Sequence, residues 1–137
     1  MHDASGCFSY QLTRFCFCDH SHVPVAFDMM PSAGASGRGI EVIGDWTSNL
    51  NHPENDTDFS VADSLSVDCK TGHKYLFNIG SIGQPRNGDP RASFAVLDTE
   101  KNRVTRYRIP YDVAAAQQKV IDAGLPERLA IRLGAGL

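Results

Sequence analysis

The chain has 137 residues, enough for one domain or a piece of one, and 42% of them are hydrophobic, the share of an ordinary globular core. Its formal net charge of −3 argues against a nucleic-acid or anionic-membrane partner. Met1 to Ser5 lacks the basic flank and apolar run of a signal peptide, and no run approaches the roughly 18 apolar residues of a membrane span. The four cysteines, Cys7, Cys16, Cys18 and Cys69, form neither a C-x-x-C nor a dense disulfide pattern. Thiols acting as small packing residues in a reduced, cytoplasmic compartment are therefore expected.

Residues 1–11 are mixed and polar and predict no element. Residues 12–18 are apolar and aromatic apart from Thr13 and Arg14, which predicts a buried strand. Asp19-His20-Ser21-His22-Val23-Pro24 breaks that run, and residues 23–30 predict a second strand. Residues 31–39, rich in Gly and Ser, predict a turn or loop. Ile40 to Ile43 predicts a short strand closed by Gly44-Asp45. Residues 46–63, rich in Asn, Asp, Ser and Thr, predict a long surface loop. Within it, Asp56-Thr57-Asp58 fails the EF-hand pattern, because Val61 and Val67 occupy the Gly and Glu positions.

Residues 65–69 and 74–79 predict a hairpin about Lys70-Thr71-Gly72-His73, with His73 exposed in the turn. Residues 80–91 hold several Gly and Pro and predict irregular backbone, without a P-loop ending or a G-x-G-x-x-G. Residues 92–98 and 103–109 predict a second hairpin. In its return strand Arg106 and Arg108 share a parity, which predicts a solvated face. Asp112 is the expected N-cap of a helix over 113–123, with Val113, Ala116, Val120 and Ala123 as its apolar stripe and Gly124 as its stop. Pro126 opens a short helix to about Leu133, and residues 134–137 should fray.

The two histidines are the chemistry-bearing feature. Side chains two apart on extended backbone point the same way, with Cβ atoms roughly 6 to 7 Å apart. That spacing suits one imidazole on each of two metal ions about 4 Å apart. Cys16, Cys18, His20 and His22 share a parity but cannot all bind one zinc, since six strand residues span roughly 20 Å.

Phe15-Cys16-Phe17-Cys18-Asp19-His20-Ser21-His22-Val23-Pro24 resembles the last metal-binding motif of the calcineurin-like metallophosphoesterases, a strand followed by Gly-His-x-His. Residues 75–86, ending Asn78-Ile79-Gly80-Ser81-Ile82-Gly83-Gln84-Pro85-Arg86, are similar to that family's next strand and its Asn-Pro-Gly-Ser-x-Gly-x-Pro-Arg loop. Asp89 to Phe94 and Ala123 to Leu129 continue the likeness. It covers residues 12–137, with 1–11 left as a linker or N-terminal segment.

The resemblance implies an α/β fold, the C-terminal half of a four-layer αββα sandwich, with strands and hairpins followed by one or two helices. It implies a phosphoester substrate and two divalent ions, Mn, Fe, Zn or Ni, holding a bridging hydroxide that attacks phosphorus. His20 would bind one ion and His22 the other. Asp19 stands where the family has Gly; it is either an extra ligand or a substitution in the turn, and the second is favoured. Arg86 has two readings, contact with a substrate phosphate or a loop-stiffening ion pair with Asp89, and the ion pair is favoured.

The family's Asp-x-His, Gly-Asp-x-x-Asp and Gly-Asn-His-Asp/Glu motifs and its later single His should precede position 12. The look-alikes Gly44-Asp45 and Asn51-His52-Pro53-Glu54 follow the histidine turn, in the wrong order. Two imidazoles cannot hold two divalent ions unaided. The expectation is a C-terminal portion without activity by itself; the alternative is a non-catalytic binding or self-associating module of the same fold.

Overall fold

The computed structural model describes residues 2–31, 39–43, 46 and 62–137. Their elements are α1 (His2–Tyr10), β1 (Phe15–Cys18), β2 (Val25–Met29), β3 (Ile40–Val42), β4 (Asp63–Asp68), β5 (Lys74–Asn78), β6 (Ala92–Asp98), β7 (Arg103–Ile109), α2 (Val113–Asp122) and α3 (Glu127–Ala135). The strands make two sheets, ordered β1-β5-β2-β3 and β4-β7-β6. The expected α/β class is therefore what the chain adopts.

Residue alternation along β5 explains the layering. Tyr75 and Phe77 face one way, into a core with Ala26, Trp46, Cys69 and Val104 and, at its margin, Phe15, Leu65, Val67, Ala95 and Leu97. Those residues come from both sheets, so this core is the seam of a sandwich. Leu76 faces the other way and packs with Met29 beneath Ala4 and Phe8 of α1. A strand buried on both faces reads as a continuous apolar run, as Tyr75-Leu76-Phe77 does.

β1 and β5 run parallel with Cys18 opposite Asn78, so the loops that follow them leave the same end of the sheet. β2 starts at that end, with Val25 opposite Asn78. This topology puts residues 19–24 beside residues 79–91.

Several expectations are corrected. Residues 2–10 form α1, because Ala4 and Phe8, one turn apart, share a face that β2 and β5 bury. The hairpin expected between residues 65–69 and 74–79 does not form: β4 pairs with β7 in one sheet, and β5 lies between β1 and β2 in the other. Trp46 and Asp63, assigned to a surface loop, are respectively fully buried and at the start of β4. Gly44-Asp45, residues 51–54 and residues 56–58 lie outside the described residues.

Arg106 and Arg108 face the interior with Val104, not solvent, and each is 1% exposed. Parity finds residues on one face; it does not say which face is wet. Arg106 lies over the Trp46 ring, its guanidinium carbon 5.5 Å from the centroid. Burial and the neighbouring Arg108 push Arg106 down to about 10. His73 is likewise half-buried: it meets Asp28 at 2.7 Å and stacks on Tyr75.

The 92–109 hairpin forms as expected. In α2, Asp112 Oδ1 accepts from the Ala115 N–H at 2.9 Å, and Gly124 takes φ +69° after the last turn. Ala123 is exposed, so the expected apolar stripe stops at Val120. Residues 134–137 do not fray. α3 runs to Ala135, Gly136 caps it at φ +64°, and the Gly88 N–H donates to the Gly136 carbonyl at 2.9 Å.

Candidate metal centre

The histidine turn begins where β1 leaves the sheet. Extended geometry ends at Cys18, and His22 takes φ +59°, the left-handed region. The two imidazoles are therefore brought out by a turn, and the parity shared with Cys16 and Cys18 stops at the strand end. A left-handed residue with a Cβ costs about 1–2 kcal/mol and persists only where its surroundings hold it.

The loop after β5 does the holding. His22 Nδ1 meets the Gln84 carbonyl at 2.7 Å, and the Arg86 N–H donates to the His22 carbonyl at 3.3 Å. A carbonyl only accepts, so Nδ1 carries the proton, and in the neutral ring the lone pair sits on Nε2. Gln84 is itself fixed, its N–H donating to Ser81 Oγ at 3.0 Å.

Gly80 makes the close approach possible. Its φ is +84°, and a Cβ there would lie 3.0 Å from Pro24 Cγ and 3.1 Å from Ser93 Cβ. Asn78 completes the junction: Nδ2 donates to Ser21 Oγ at 2.9 Å, and Oδ1 accepts from the Gly80 N–H at 3.1 Å. Sequence reasoning quoted Ser21, Asn78 and Gln84 within the two similar stretches but gave them no role. The signal was their position in two loops that follow adjacent parallel strands.

His20 is solvent-exposed and borders an open cleft of about 270 Å³, with Ser21, Asn78, Cys7 and Cys18 among its other walls. Burial raises the Cys18 thiol above its ordinary range, so it stays protonated near neutral pH. Cys7 is exposed on α1, so it is not the packing residue expected of it; Cys69 is buried, and burial lifts it to about 11. Asp19 is exposed beside His20.

Arg86 is exposed, and its Nη2 donates to Gln84 Oε1 at 3.0 Å. The expected Arg86–Asp89 pair is absent. Asp89 is fully buried and belongs to Arg91, which donates to it from Nε at 3.0 Å and from Nη2 at 2.6 Å. Arg91 also reaches Asp63 at 3.0 Å, and Arg108 Nε lies 3.6 Å from Asp89. Burial pushes the Asp89 carboxyl up, but the Arg91 hydrogen bond and the Arg108 charge outweigh it, leaving the group below its ordinary value. This cluster anchors the far end of the loop that holds His22.

His22 has the chemistry of a metal ligand: one nitrogen donates to a backbone carbonyl, which fixes the ring and leaves the other free. His20 has the exposure. Among the described residues, however, no group of three or more His, Cys, Asp and Glu side chains is arranged to hold a metal ion. The two imidazoles fit as ligands, and the described residues do not complete a site around them.

No family model matches the chain. It is similar to a crystal structure of a metallophosphoesterase from Sphaerobacter thermophilus, with a TM-score of 0.69 and 34% identity, over 98% of this chain and 46% of that one. It is also 41% identical over 63 residues to an uncharacterized protein of Methanocaldococcus jannaschii, covering 46% of this chain and 26% of that protein. The chain thus spans less than half the length of either. The two sheets and three helices formed by the described residues match part of a metallophosphoesterase fold. Among the described residues no helix is long and apolar enough to cross a membrane.

Proposed function

We propose that this chain is the C-terminal part of a metal-dependent phosphoesterase, and that His20 and His22 are its contribution to a dinuclear centre whose acidic ligands lie outside the described residues. The observation that carries the reading is the His22–Gln84 bond, because it holds a left-handed histidine with Nε2 free at the end of a parallel strand pair. The likeness to a metallophosphoesterase over nearly the whole chain gives that nitrogen a chemical context. When bound, divalent ions supply Lewis-acid polarisation of a phosphoryl oxygen. This chain's residues present two imidazoles and fix the tautomer of one. Arg86, exposed at the rim of the same loop and bonded through Nη2 to Gln84 Oε1, would meet a substrate phosphate with its remaining donors. Residues 12–137 form the proposed phosphoesterase portion. Manganese, iron, zinc and nickel all suit imidazole, and Asp19 is a substituted turn residue in this reading.

The test is nickel titration calorimetry of the wild type, His20→Ala, His22→Ala and the double variant that carries both, with hydrolysis of bis(nitrophenyl) phosphate alongside. Each substitution should lower affinity by about tenfold or more. Hydrolysis should stay at the level of the double variant. Equal affinity in wild type and double variant would overturn the ligand assignment. Turnover that requires both histidines would overturn the half-site.

One observation favours the alternative, a module that pairs with another chain. Arg14 and Cys18 direct their carbonyls to β5, so Phe17 aims its backbone at the edge of β1 that no described strand pairs with, and its side chain is 41% exposed. A concentration-independent monomer in sedimentation would sink that reading.

A further inference from the structure

Ser21 stands between the two histidines, and its anchor is Asn78. The Asn78 Nδ2–Ser21 Oγ bond is 2.9 Å long. Asn78 has little freedom to move. It is 6% exposed, its Oδ1 takes the Gly80 N–H, and its carbonyl accepts from the Trp46 indole at 2.9 Å. Only an oxygen can accept from Gly80, so the amide's orientation is set and the NH₂ group faces Ser21. Ser21 Oγ also lies 3.3 Å from the Val23 N–H, which it accepts in a local turn. The turn is thus pinned at its middle residue.

The two imidazoles depend on this pin unequally. His22 has its own anchor on Gln84. Among the described residues no hydrogen bond fixes the His20 ring, so its position follows from the turn. We propose that Asn78 is a positioning residue: acting through Ser21, it sets the place of the His20 imidazole relative to His22. The inference rests on the metal-ligand role proposed for the two histidines.

The experiment is nickel titration of Ser21→Ala and Ser21→Thr beside the wild type and His22→Ala, with thermal unfolding and histidine-ring ¹⁵N spectra on each. Ser21→Ala should lower nickel affinity by about tenfold, and Ser21→Thr, which keeps the hydroxyl, should retain it. Ser21→Thr should keep the unfolding midpoint, and Ser21→Ala should lower it only modestly, by leaving the buried Asn78 Nδ2 without its acceptor. The His20 ring signals should shift in Ser21→Ala while His22 keeps its Nδ1–H tautomer. If Ser21→Ala binds like wild type while His22→Ala has lost affinity, the positioning role is overturned and the ligand reading stands. Equal losses in the Ala and Thr variants overturn it too. If His22→Ala binds like wild type, the ligand reading fails and takes the inference with it.

Discussion

The two ends of the loop between β5 and β6 treat polar groups in opposite ways. At its start the loop holds a histidine turn whose Nε2 and exposed ring have no hydrogen-bond partner among the described residues. At its end, Asp89, Arg91 and Arg108 are buried and spend their charges on one another. The buried end makes the fold; the open end is available for chemistry. Only residues 85–88 separate Gln84, whose carbonyl meets His22, from the buried Asp89.

Breaking the buried end should have the largest effect. Asp89→Ala takes the shared carboxylate from the buried Arg91 and Arg108, leaving Asp63 still on Arg91, and the loss should be about 3–5 kcal/mol in urea denaturation. The pH dependence has a definite sign. Asp89 titrates lower folded than unfolded, so its contribution is full above about pH 4 and is lost as pH falls through the folded value. The wild type should therefore weaken steeply in that acid range, and Asp89→Asn should flatten most of the limb. An unchanged acid limb in Asp89→Asn would remove the cluster from the account.

A smaller break sharpens the same comparison from the chain's end. A Cβ on Gly136 would lie 2.6 Å from the Asp89 nitrogen, at a φ of +64°. Gly136→Ala should cost about 1–3 kcal/mol, less than losing Asp89, because backbone shift absorbs part of the clash. A neutral Gly136→Ala would mean that α3 does not brace the loop.

Legibility in the sequence followed how local the determining physics is. The 92–109 hairpin and the Asp112 cap were readable, because a short turn and a single side chain decide them. The β4–β5 pairing was misread for the converse reason: Thr71-Gly72 signals a turn, but which sheet each strand joins depends on β7 and β1, tens of residues away. Arg106 and Arg108 looked solvated because their partners, Trp46 and Asp89, are distant in the chain. His73 sits in a turn by sequence, but Asp28, 45 residues earlier, lies beside it and half-buries it. Of the candidate site, the two histidines were legible as residues and as a likeness. The bond from His22 to Gln84 was not, since it joins loops 62 residues apart.

The open end is tested most directly by manganese ion added in small steps to ¹⁵N-labelled protein. Ring and amide signals of His20 and His22 should broaden first, and those of His73, tied to Asp28 at the other end of β5, should persist. Uniform broadening, or His73 disappearing first, would contradict the histidine turn as half of a metal centre.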